Sequence, residues 1–419
     1  MSQTNLPTRK EKSASSDYTN VYGSQNLKQV EKIYQTNKNS NYTERIEELQ
    51  KQYNYDDNCE YNWLDPEFSL LYGSRLYESA SETQKKALNH LYWICFYNYS
   101  IGGEIATMMF NQLTCGAFYH LGGYETLCHE LDLETAQERV HVEAFRHIGQ
   151  LTERALLGKQ IFNRPIPDYL DAALVHPQKQ FKLNFGRKLI GMFVGSGISR
   201  SPFLASQYYV LRGLRNNQLK VKEYRHSLYS RELAKQKEFV AAPTLVSHYH
   251  CLDEAFHTST SKLVSHEMYK DFAKPTALEL LSVNLLVRNL QFTMSTLSGA
   301  VPGIFSDDAA YMPLVYEMLR SPLFALSAEE ALQMVEDSFC REHDGFHVAA
   351  KYHQRALKQN LEYVEGIEHL SGVNRELKVM ASASVSKSLQ NNIETFHNFV
   401  NRYSKITVSK PCCIFRAYF

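Results

Sequence analysis

Two segments of this chain pair a carboxylate with an imidazole at a spacing that a metal ion can use. Glu138-Arg-Val-His141 and Glu254-Ala-Phe-His257 each place glutamate and histidine one helical turn apart, on one face. Two such helices, with a glutamate from each of two others, can enclose a pair of metal ions inside a four-helix bundle. Glu104 stands upstream in the otherwise apolar run YSIGGEIATMMF. An ionised carboxylate there is costly unless a cation compensates it, and a metal would do so. His250 precedes Glu254 by one turn, so His250, Glu254 and His257 share a face. Asp253, next to Glu254, is placed to accept a hydrogen bond from a ligand imidazole and fix its tautomer. Glu-x-x-His also occurs at Glu223-Tyr-Arg-His226 and Glu394-Thr-Phe-His397, in polar or C-terminal surroundings that read as solvated faces.

Taken together, Glu104, Glu138-x-x-His141 and His250-x-x-x-Glu254-x-x-His257 resemble the p-aminobenzoate N-oxygenase family of di-iron proteins. The extra histidine before Glu254 is the specific mark. The segment PEFSLLYGSRLYESAS also resembles the lead into that family's bundle, and the resemblance spans roughly residues 60–275. It implies a di-iron oxygenase that activates O2 and oxidises a small organic substrate, with N-oxygenation of an (aryl)amine as one such reaction. Two iron ions (Fe2+/Fe3+), or manganese, would be held by Glu104, Glu138, His141, His250, Glu254 and His257, with Glu138 and Glu254 bridging. An external electron donor would be required. The family writes Asp-Glu-x-x-His at both motifs, whereas here Gln137 precedes Glu138, so one carboxylate behind the ligands becomes an amide. The third helix should also supply a carboxylate; Glu223, Gln207 or no protein residue fills that position.

The elements that must position these residues read as helices. A capping box at Ser79-Ala80-Ser81-Glu82 precedes a helix over 83–119, and a second runs from about Leu133 to Gly158. A loop follows at Pro165 and Pro167. Buried helix is expected from Gln180 to about Asn216, then a polar, solvated stretch over 217–238. Pro243 sits in the first turn of the helix carrying the second motif, and further helical stretches lie near 275–298, 327–370 and 379–405. No alternating strand pattern occurs. The expected fold is all-α, a ferritin-like bundle with additional C-terminal helices. Its domain would cover 59–405, between a polar, disordered or loosely attached segment over 1–58, with a short helix at 42–53, and a tail over 406–419.

Elsewhere the candidate chemistry is weaker. Glu336, Cys340, His343 and His347 fall on one helical face and read as polar packing; Glu143 and His147 form an ordinary helix pair. Lys+Arg and Asp+Glu number 45 each, which argues against a general nucleic-acid binder or a polybasic membrane protein. No apolar run is long enough to span a bilayer and no secretory leader is legible, so a cytoplasmic protein is expected, with a homodimer among its expected states. Eight cysteines in 419 residues are too dilute for a disulfide scaffold. The alternative to an enzyme is a non-catalytic helical interaction protein whose metal site is structural or degenerate.

Overall fold

Residues 25–52 fold rather than trail. In the computed structural model, which describes residues 24–163, 197–198, 200–304 and 307–407, helices α1 (Gln25–Lys38) and α2 (Tyr42–Gln52) pack on the body. Ser24 caps α1 by accepting from the Leu27 N–H at 3.2 Å. Their few apolar residues suffice because they sit on the inner faces: Val30 and Ile46 are fully buried. Average composition, which led to the expectation of disorder over 1–58, hides such one-sided placement. Residues 1–23, the loop at Pro165 and Pro167, the expected helix over 180–196 and most of the 406–419 tail lie outside the described residues.

A short helix α3 (Arg75–Ser79) leads into α4 (Glu82–Leu121), α5 (Glu125–Leu157), α6 (Pro202–Gln236) and α7 (Ala242–His266). The capping box that starts α4 pairs Ser81 with Gln84 and not Ser79 with Glu82 as expected, because Ser79 closes α3 and its hydroxyl donates to the Arg75 carbonyl. Gly158, at φ 70° in the left-handed region, ends α5. Ser201 accepts from the Leu204 N–H at 3.1 Å to open α6, and Pro243 occupies the first turn of α7. α4 packs along α5 and α6 along α7. Of the stretch expected to be solvated over 217–238, residues 231–238 are largely exposed, but the preceding turns of α6 bury Lys222, Glu223 and His226. Its polar residues mislead because they face other buried polar groups, Lys222 Nζ donating to the Gly303 carbonyl.

Beyond these lie α8 (Ala277–Met294), α9 (Met312–Leu319), α10 (Ala328–Phe339), α11 (Asp344–Val364), α12 (Gly372–Arg375) and α13 (Val385–Thr407). The stretch expected over 327–370 breaks at 340–343. There His343 caps α11 by accepting from the Gly345 N–H, with its Nε2 2.9 Å from the Ser338 carbonyl, so no Glu336–His347 face exists. Among the described residues there is no strand, and no helix is long and apolar enough to cross a membrane. The fold is all-α.

One close approach fixes how α6 meets α11. A Cβ at Gly213 would come 2.1 Å from the Tyr363 hydroxyl oxygen, which donates to the Tyr209 carbonyl at 2.9 Å. Gly213→Ala is therefore expected to cost about 1–3 kcal/mol by overpacking, read as a lowered denaturation midpoint. An unchanged midpoint would show that the two helices can separate freely.

Candidate metal centre

Each of the four long helices delivers titratable side chains to one buried point. α4 brings Glu104, α5 Glu138 and His141, α6 Glu223, and α7 His250, Glu254 and His257, all of them buried. The His141 and His257 rings lie 6.2 Å apart, and the His141 and His250 rings 4.7 Å. His141 Nδ1 is 3.3 Å from Glu138 Oε2; His257 Nδ1 is 2.8 Å from Glu254 Oε1 and 3.5 Å from Glu138 Oε1. His250 places Nε2 3.2 Å from Glu104 and Nδ1 3.4 Å from Glu223. Three overlapping groups of donor atoms are close enough to share an ion: Glu104–His141–His250, Glu138–His141–Glu254 and Glu134–Glu138–His257.

Both motif histidines face inward through Nδ1 and outward through Nε2, and the outward contacts cross between motifs. His141 Nε2 is 3.1 Å from Asp253 of the second motif, and His257 Nε2 is 3.0 Å from Gln137 Oε1 of the first. Helices α5 and α7 thus hold each other's imidazoles in register. Gln207 lies elsewhere, bonded to Ser206 and to His369 at 2.7 Å. Of the alternatives for α6, Glu223 is the residue that reaches the cluster. Its partner in sequence, His226, is buried in an aromatic cage of Phe68, Tyr92 and Phe96, which corrects the expectation of a solvated face. Glu394 and His397 are exposed.

Glu134 and Arg212 escaped the sequence reading. Glu134 stands one turn before Glu138, so the signal was present as Glu130-x-x-x-Glu134-x-x-x-Glu138 along one face of α5. Arg212 was hidden by its apolar neighbours; buried, it ion-pairs with Glu134 and reaches Glu138 at 3.3 Å.

The protonation pattern shows what the cluster lacks. Burial drives Glu104 well above the carboxylate range, with the charge of Glu138 adding to it, and raises Glu223 to about 7 against the pull of His250. Burial would lower His141, yet Asp253 and Glu138 raise it to about 10. Burial and Glu254 would raise Glu138, but His257 and His141 outweigh them and bring it down to about 2. Burial therefore favours a compensating positive charge beside Glu104 and Glu223, which a bound cation would supply. Both oxygens of Glu104, Glu223 Oε1 and both nitrogens of His250 are buried without a hydrogen-bond partner, although they lie close together. Orphaned oxygen and imidazole donors of this kind suit iron, manganese or another first-row divalent ion. The residues fit a metal pair: Glu104, Glu134, Glu138, Glu223 and Glu254 converge with three imidazoles, an excess of carboxylate that divalent cations would offset.

Fold and site define an all-α protein with a buried carboxylate–histidine centre suited to metal. The chain belongs to the CylC-like acyl halogenase family, whose description matches residues 25–190 and 168–400. That makes it a member of an enzyme family of the halogenase or oxygenase kind. No curated protein and no solved structure matches it.

Proposed function

We propose that this protein is an O2-dependent di-iron halogenase that replaces a C–H hydrogen of an acyl substrate with a halogen. The observation that carries the reading is the convergence of Glu104, Glu138, Glu223, Glu254 and three imidazoles at one buried point, in a chain of the acyl halogenase family. Bound iron would supply the oxidising power for breaking the C–H bond. The balance requires halide, O2, protons and a pair of electrons from an external donor, and releases water. Glu138 contacts His141 and His257, and Glu254 contacts His257 and approaches His250, so both would be shared donors to a bound metal pair. His141, His250 and His257 present nitrogen donors from different sides. Tyr97 and Phe145 pack edge-on against His250, at 5.7 and 5.0 Å between ring centres, and keep water from that flank.

A second reading, N-oxygenation of an amine, is favoured by the histidine at 250 in the spacing His250-x-x-x-Glu254-x-x-His257. One experiment separates the readings. Protein reconstituted with Fe(II) and a chemical reductant is exposed to O2 with fatty-acyl thioesters or arylamines, in chloride or bromide, and products are analysed by mass spectrometry. We expect about two irons per chain and an acyl product whose mass follows the halide supplied. A nitroso or nitro product independent of halide would establish the second reading. Bound iron with no product from any substrate class would support the non-catalytic scaffold instead.

A further inference from the structure

We propose that helices α1 and α2 form a two-point clamp that orients the motif imidazoles, so that docking of residues 25–52 and metal binding strengthen each other. This rests on the reading of the cluster as a metal centre. Each helix reaches one of the residues that the outward imidazole nitrogens contact. From α2, Thr43 Oγ1 donates to Asp253 Oδ2 at 2.8 Å, the same oxygen that His141 Nε2 faces. From α1, the buried side chain of Asn37 forms a reciprocal amide pair with Gln137. Gln137 Nε2 donates to Asn37 Oδ1 at 2.8 Å, and Asn37 Nδ2 donates to Gln137 Oε1 at 3.1 Å.

The amide at 137 explains why such a clamp is needed. A carboxylate offers an acceptor whichever way it turns, whereas a glutamine offers an acceptor at one end and a donor at the other. His257 requires the acceptor end if its Nε2 is to carry the proton and leave Nδ1 free for metal. Asn37 sets that sense, because its own donor end is held by Glu130 Oε1 at 3.2 Å and its acceptor end faces the Gln137 donor. Glu130 is held in turn by Thr260 Oγ1 at 3.3 Å, which ties the pair to α7. The clamp is seated by contacts away from the centre. Tyr42 stacks on Tyr249 and Phe256, and Val30 packs with Leu127 and Leu131. Two imidazoles from two motifs are therefore held through Gln137 and Asp253 by two N-terminal helices, α1 with a pair of bonds and α2 with one.

The test uses the full chain with Co(II) as a spectroscopic probe, in wild type and in Asn37→Leu, Thr43→Val and Thr43→Ser. Loss of a hydrogen bond behind a metal ligand weakens metal binding by roughly 10–100-fold. We expect that loss in Asn37→Leu and Thr43→Val with altered cobalt d–d bands, and near-wild-type behaviour in Thr43→Ser, which keeps the hydroxyl. Hydrogen exchange across residues 25–52 should slow when Co(II) is added to wild type and respond less in the two weakened variants. If wild type binds Co(II) and the variants match its affinity, bands and exchange, the clamp is wrong and the metal centre stands. If wild type binds no Co(II) at all, the metal reading falls and the coupling falls with it.

Discussion

Loading the centre with Mn(II) or Fe(II) is expected to release protons and to tighten as pH rises. In the metal-free protein His141 holds a proton at neutral pH, because Asp253 and Glu138 raise it to about 10, and burial shifts Glu104 toward its protonated form. Glu223 joins them as pH falls through about 7. A metal must displace those protons, so each one costs about tenfold in apparent affinity per unit fall in pH. The sign follows: binding weakens from pH 9 downward and its pH dependence steepens near 7, where Glu223 begins to protonate. A pH indicator in weak buffer reads the released protons, and metal titrations at several pH values read the slope. Metal at a thousand times its dissociation constant should add about 4 kcal/mol to stability per site, visible as a higher melting temperature. Affinity flat between pH 6 and 8, with no proton release, would mean that the metal binds somewhere other than this cluster.

Removing Arg212 is expected to give the largest stability loss of any single change at the centre. Its guanidinium, almost wholly buried, neutralises Glu134 and approaches Glu138. Arg212→Met fills similar space but leaves two carboxylates in the interior without that cation, which costs about 3–5 kcal/mol when a buried pair is broken on one side. Adding Glu134→Gln removes one of the stranded charges and should recover a large part of the loss. Metal should narrow the gap between Arg212→Met and wild type, since divalent ions compensate the same carboxylates. Denaturant midpoints for the three proteins, with and without Mn(II), measure this. An Arg212→Met midpoint equal to that of wild type would show that the imidazoles alone balance the cluster.

Much of this was legible in the sequence because it depends on local rules. Glutamate and histidine three residues apart share a helix face wherever they occur, so both motifs and His250 could be read from spacing. The Pro243 start and the Gly158 stop likewise obey local chemistry. The family was less accessible. The motif resembles N-oxygenases, and matching almost the whole described chain was needed to place it among CylC-like acyl halogenases.

The boundary between the two kinds of knowledge runs through α6 and α1. By itself the sequence determined the two Glu-x-x-His motifs with His250, the helix face that each set shares, and an all-α fold. Only the tertiary structure decided that Glu223 rather than Gln207 reaches the centre, that Arg212 balances Glu134, and that Asn37 and Thr43 stand behind the imidazoles. The reason is physical. A polar residue reads as solvated when only its neighbours in sequence are known. Whether it is buried depends on partners brought from far along the chain, as Glu130 and Gln137 are to Asn37, 93 and 100 residues away. Helical periodicity fixes the direction of a side chain, and packing alone fixes what it meets.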